Sequence, residues 1–305
     1  MEDPKSLKPV LLGKLKVLNF QRCYNLTICR DFERMPHLQK LNFGSCTKMS
    51  ELDPSIGLLE SLTHLNLWRC ESLKTLPQEI WQLTSLEELD LSGCTEITTL
   101  PSQMKDPKSL KPVLLGKLRV LKLVGCSNLT SCPNFTSMPH LEMLDFRNCT
   151  KMSELDPSIG LLKRLTHLYL EGCESLKELP QEVSQLTSLI TLNLNGCYQI
   201  SALPKSMSCL KQLEMLCLRP CSSLKETPSI NQIHERLKFL PWLPPSLNTL
   251  GARGCGKLED VLDLGGCRSL HDSFFERLQS VFLRIPIDLI GIVKPELQFK
   301  DVFKT

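Results

Sequence analysis

The sequence predicts an α/β solenoid, a stack of short repeats that share one continuous core. Three observations carry the prediction. Leucines recur with a period of about 24 residues. Within each period the apolar residues first alternate and then spread out. A proline falls at one fixed position in six of the repeats: Pro77, Pro101, Pro133, Pro180, Pro204 and Pro228.

Taking i as the first leucine of each LxxLxLxxC stretch, repeats begin at Leu15, Leu38, Leu62, Leu86, Leu118, Leu141, Leu165, Leu189, Leu213 and Leu247. The spacing is 23 or 24 residues, except for 32 before Leu118 and 34 before Leu247. Positions i+3 and i+5 are apolar, the pattern of a short strand with one buried face. Position i+11 is apolar in every repeat. The proline at i+15 lacks a backbone donor and fixes φ, so the chain must leave the ladder there. Apolar residues resume at i+18 and i+21, as in Ile56 and Leu59. A single repeat cannot bury its leucines, but stacked copies can. Each fully buried leucine contributes roughly 1.5–3 kcal/mol relative to exposure. The expected architecture is a leucine-rich-repeat horseshoe, with a concave parallel β-sheet and an irregular or 3-10 convex side, over 1–270.

Two segments interrupt the period. KDPKSLKPVLLGK at 105–117 accounts for the long spacing and repeats 2–14 almost unchanged. Indeed 3–102 aligns with 106–205 without a gap, which is a tandem duplication of four repeats. After Cys255, LDLGGCRSL at 262–270 reads as a shortened last repeat. In 271–305, Ser273 and Glu276 have capping-box spacing before an apolar run, so this segment is expected to cap the stack.

Cys23, Cys46, Cys70, Cys94, Cys126, Cys149, Cys173, Cys197, Cys221 and Cys255 all occupy i+8. That position closes the strand and turns inward, so they are expected to form a structural thiol column. Cys29 and Cys132, at i+14, are expected to be small buried hydrophobes, and Cys217, at an outward i+4, the exposed thiol. No CxxC or CxxH pairing suggests a metal.

A net charge of +3 with both signs interspersed implies neither a nucleic-acid nor a membrane partner. No apolar run reaches 18 residues, and the first residues lack an export signal. The 15 cysteines therefore read as reduced thiols, with a cytoplasmic or nuclear location expected. GARGCGKL at 251–258 nearly fits a phosphate loop, but Leu258 stands where the metal-binding hydroxyl belongs. His64 and His167 have no triad partner in sequence, and no HExxH or GxSxG occurs. No cofactor and no enzymatic activity are expected.

CTKMSELDPSIGLL stands at 46–59 and again, unaltered, at 149–162. Over the 100 duplicated pairs 33 differ, and the differences are uneven. At the outward strand and corner positions (i+1, i+2, i+4, i+6 and i+7) 16 of 20 pairs differ, against 17 of the other 80. Thr47, Lys48, Ser50, Glu51, Ser72, Lys74, Gln78, Glu79 and Gln82 on the return path are expected to be exposed too, yet all match their partners. Drift at exposed sites does not produce that contrast; patchy recombination between the copies could, and reshaping of a concave binding face is the more economical explanation. The residues presented there include His64, Asn66, Trp68, Arg69, Glu88, Asp90, Arg119, Lys122, Asp145, Arg147, Tyr169 and Glu171. Tryptophan, tyrosine and arginine dominate protein-interface hot spots, so a protein partner is expected.

The stretch CESLKTLPQEIWQLTSLEELDLSGCTEITTLP at 70–101 resembles the repeats of plant nucleotide-binding, leucine-rich-repeat disease resistance receptors. LKFLPWLPPSLNTLGARGC at 237–255 is similar to the closing repeat of the subclass with a Toll/interleukin-receptor domain. The resemblance implies recognition of a pathogen effector or host protein. It also implies a nucleotide-binding receptor domain as a partner, absent from this chain. A stand-alone scaffold or a ubiquitin-ligase substrate adaptor is the alternative, although the LPxxI return path is unlike an adaptor's.

Overall fold

The computed structural model describes residues 11–101 and 114–218, and the backbone of three short strands beyond them. Residues 271–305, Cys221 and Cys255 lie outside the described residues. The chain divides into two compact bodies, Met1–Met152 and Ser153–Thr305.

Among its described residues the first body carries six parallel strands in sequence order: β1 (Val17–Asn19), β2 (Lys40–Asn42), β3 (His64–Asn66), β4 (Glu88–Asp90), β5 (Val120–Lys122) and β6 (Met143–Asp145). The register repeats without slip, so Lys40, His64, Glu88, Val120 and Met143 stand in one row. In the second body β7 (His167–Tyr169), β8 (Thr191–Asn193), β9 (Met215–Cys217) and β11 (Thr249–Gly251) do the same. β10 (Phe239–Leu240) pairs with β12 (Asp260–Val261) separately. Each body is thus a stack of leucine-rich repeats, as the leucine period predicts.

Strands of three residues need something to stop them. At i+4 an Asn or Asp accepts a hydrogen bond from the backbone N–H two residues on: Asn42 from Gly44 at 2.8 Å, Asn66 from Trp68 at 2.8 Å, Asp90 from Ser92 at 2.9 Å. This side-chain turn competes with the ladder and ends it. The corner then passes through i+7, where Arg22, Ser45, Arg69 and Asn148 have φ between 55 and 66° and Gly93, Gly125, Gly172 and Gly196 between 70 and 76°. Only glycine adopts that left-handed region without steric penalty. Arg69→Gly, which copies the duplicate's Gly172, is therefore expected to raise stability by about 1 kcal/mol, read as a higher urea midpoint.

The return paths fold into short 3-10 turns: η1 (Phe32–Arg34), η2 (Pro54–Leu58), η3 (Gln78–Gln82) and η4 (Phe135–Ser137) in the first body. The second body has η5 (Pro157–Leu161), η6 (Gln181–Gln185) and η7 (Met207–Cys209). No α-helix occurs among the described residues, so the helical half of the fold class is 3-10 throughout. Pro77 and Pro180 sit just before η3 and η6 in extended conformation, which is where the missing donor and fixed φ place the turn. Asp53 starts η2 by accepting from Ser55 N–H at 2.9 Å, and Asp156 starts η5 in the same way.

Between strands and 3-10 turns lies the leucine core, with Leu41, Leu65, Leu121, Leu144, Leu168 and Leu192 all sealed. Beside them runs the thiol column. Each sulfur donates to a carbonyl of the repeat before: Cys46 to Phe20, Cys70 to Phe43, Cys94 to Leu67, Cys126 to Leu91, Cys149 to Leu123 and Cys197 to Leu170, at 3.1–3.3 Å. Four thiols depart from expectation. Cys23 is exposed, because no preceding repeat covers it among the described residues. Cys29 and Cys132 are only half-buried. Cys217 is half-buried, and Cys209, in η7, is more exposed than it.

Candidate functional site

The strand face of the first body gathers ten of the twelve predicted residues; Tyr169 and Glu171 belong to the second body. Parallel register is what assembles them. Asn66, Asp90, Lys122 and Asp145 stand side by side at i+4 of β3, β4, β5 and β6. His64 and Glu88 form the neighbouring row at i+2.

Charge alternates along this surface and pairs locally. Lys122 Nζ lies 2.6 Å from Glu88 Oε1, and that hydrogen bond, aided by the charges of Glu88, Asp90 and Asp145, holds its ammonium above the usual lysine range against partial burial. Arg119 pairs with Glu142 on the next repeat. Asp145 is the correction. Although its strand position predicts presentation, it is only 2% exposed. Its Oδ1 accepts from Arg147 N–H at 3.1 Å, and its carboxylate takes Arg147 Nε and the terminal guanidinium nitrogen at 2.7–3.1 Å. Asp145 therefore shapes the corner and orients Arg147, whose own side chain is exposed. Removing Arg147 would leave a buried carboxylate short of a partner.

Trp68 and Arg69 are both exposed and lie against each other. The indole is 38% exposed, the Arg69 guanidinium carbon lies 5.6 Å from its ring centroid, and Arg69 also reaches Glu71 at 3.0 Å. This is an aromatic–cation pair at the lip of the sheet. His64 is half-buried, with Nδ1 2.8 Å from Thr63 Oγ1. Because the Thr63 hydroxyl donates to Gln39 O at 2.9 Å, Nδ1 is the donor in the histidine contact. In the second body His167 stacks on Tyr169 at 6.0 Å, and Asn193 Nδ2 donates to Glu171 at 3.1 Å.

Two roles were missed by sequence reasoning. The i+4 Asn or Asp and the i+7 corner look like free outward positions, but the first terminates the strand and the second requires φ > 0. Only the recurrence of Asn and Asp at i+4 signals it in sequence. At i+1, i+2 and i+6, which have no such duty, nine of twelve duplicated pairs still differ. The return path is also less free than expected, since Thr47, Ser72, Glu79 and Gln82 are half-buried. Lys48, Ser50, Glu51, Lys74 and Gln78 are exposed, as predicted.

Residues 112–243 match a family model described as a leucine-rich repeat region. Among solved structures, the leucine-rich repeat domain of the type III effector XopL is similar at 29% identity and a TM-score of 0.58, covering 76% of this chain and 77% of that one. A leucine-rich-repeat protein of Leptospira interrogans shares the fold at 22% identity and a TM-score of 0.52, covering 82% and 72%. No curated protein sequence matches. No helix among the described residues is long and apolar enough to cross a membrane.

Proposed function

Because the chain is a leucine-rich-repeat domain, we propose that it is a non-catalytic protein-recognition module whose strand face senses a pathogen effector or host protein in plant innate immunity. One observation carries the choice of face. Nine of twelve duplicated pairs differ at i+1, i+2 and i+6, whereas 46–59 and 149–162 are identical. Trp68 and Arg69 offer the chemistry of a binding hot spot, a half-exposed ring with a guanidinium beside it. The plant-immunity assignment rests on the resemblance of 70–101 and 237–255 to resistance-receptor repeats. Many unrelated functions share this fold, so the partner's identity belongs to the site.

The duplication supplies a test that spares folding. Trp68→Glu with Arg69→Gly converts the first copy's corner to that of the second, Glu171 and Gly172. Capture of a partner from plant extract is expected to weaken at least about tenfold, the scale of a hot-spot loss. Lys74→Ala with Gln78→Ala, on the exposed return path, should leave it unchanged. The reverse pattern would move the binding face to the return path. Arg147 is left intact because its loss would disturb Asp145.

A further inference from the structure

The third repeats of the two copies turn the same corner, and one side chain of the first is missing from the second. Arg69 N–H donates to Ser92 O at 2.7 Å, and its counterpart Gly172 N–H donates to Asn195 O at 2.7 Å. Both residues have positive φ, 55° and 73°. Two residues on stand Glu71 and Glu174, and no other described repeat has a carboxylate at i+9. The backbones agree, so the difference lies in the side chains.

Arg69 shows what such a corner holds. Its Nε and one terminal nitrogen donate to Glu71 Oε1 at 3.2 and 3.0 Å, and its guanidinium carbon lies 5.6 Å from the Trp68 ring centroid. Its stem crosses the corner of the next repeat, where a β-carbon on Gly93 would stand 3.0 Å from Arg69 Cγ. The second copy keeps that glycine, as Gly196, and the carboxylate, as Glu174. Gly172 removes the arginine, and Glu171 puts a second carboxylate where the first copy has the Trp68 ring. Glu174 forms no ion pair among the described residues. No lysine or arginine stands at i+1, i+2, i+4, i+6 or i+7 of the second body's described repeats.

We propose that this corner of the second body is a binding site for an arginine side chain carried by a protein partner. The incoming side chain takes the place that Arg69 has in the twin, with its stem over Gly196 and its guanidinium on Glu174. The inference rests on the reading of the strand face as a recognition surface, and names what the second body recognises there. A guanidinium fits better than an ammonium, because two N–H groups of one plane reach the twin's carboxylate together. Glu171 and Glu174, of like charge, turn an acidic partner away.

The test titrates the full chain, isotope-labelled at its glycines, with Nα-acetyl-arginine amide and with its uncharged counterpart, Nα-acetyl-citrulline amide. The amide signals of Gly172 and Gly196 are followed by NMR. Arginine amide is expected to move both with a Kd on the order of millimolar, and citrulline amide to bind at least about tenfold more weakly. Glu174→Gln should weaken the arginine titration at least about tenfold. Gly172→Arg, which restores the residue of the first copy, should abolish it by filling the site from within. Trp68→Glu with Arg69→Gly builds the same site in the first body, so the Gly93 signal should begin to respond to arginine amide. Absence of any shift, equal shifts from the two amides, or an unchanged titration in Glu174→Gln overturns the proposal. So does a Gly93 signal that stays still in the double variant. Partner capture that survives the double variant, with arginine amide still bound at Glu174, would remove the first-body reading and leave this one standing.

Discussion

At pH 10 the domain is expected to have lost about 4 kcal/mol of the stability it has below pH 9, through three buried thiols alone. Burial pushes the Cys70 and Cys126 thiols up from 9.0 to about 12, and Cys94, between them in the column, is pushed further in the same direction. In the unfolded chain the same thiols give up their protons near 9.0. Below that pH both states hold the protons and the column contributes fully. Above it the unfolded state ionises while the folded state cannot, so stability falls as pH rises, and for Cys70 and Cys126 the loss continues to about 12. Each thiol contributes about 1.4 kcal/mol per pH unit in this window. Typical domains hold only about 5–15 kcal/mol in total, so the loss is a large share. Urea midpoints at pH 7, 8, 9 and 10 measure it. Cys94→Ala should be less stable at pH 7 and lose less between pH 9 and 10. Equal midpoints at pH 8 and pH 10 would mean that the thiols ionise in place.

Burial explains why so much of this fold can be read from its letters. Leu65 and Leu67 must both be sealed, His64 and Asn66, which alternate with them, are not, and 24-residue recurrence then forces one repeat onto the next. The inward cysteines follow from the same register. What the pattern hides is any demand that does not involve burying an apolar group. Asn66 and Asp90 alternate with leucines as a solvent-facing residue would, yet each is occupied by a backbone N–H. Arg69 looks like a surface arginine, but its backbone sits in a left-handed corner where the duplicate has Gly172. Asp145 reads as presented and is buried, because its partner Arg147 lies two residues away, at a spacing that strand periodicity assigns to the same open face. Positions on the face were thus legible, while the division between those that build it and those free to bind was not.

Gly57→Ala is expected to cost about 1–3 kcal/mol, although alanine is neither large nor polar. Gly57 lies in η2, whose backbone presses on η3 of the next repeat. A β-carbon there would stand 2.8 Å from Glu79 Cβ, 2.9 Å from Glu79 O and 2.5 Å from Gln82 Oε1. The Gln82 amide can swing away, but the Glu79 backbone cannot do so without unstacking the two turns. Gly160 meets Glu182 in the same way, at 2.8 Å from its Cβ and 3.0 Å from its carbonyl. The demand comes from a residue 22 positions away, which is why no local pattern announces it. It also bears on the identical stretches 46–59 and 149–162. Part of their constancy is packing: Asp53 caps η2, Gly57 admits η3, and Lys48 reaches Asn25 Oδ1 at 2.9 Å. A strong loss in Gly57→Ala and Gly160→Ala, read as lower urea midpoints, would assign that constancy to the stack. The case for the strand face then rests on its own variation at i+1, i+2 and i+6. A negligible loss in both would leave the identical stretches without a structural cause and point to a second selected surface on the return path.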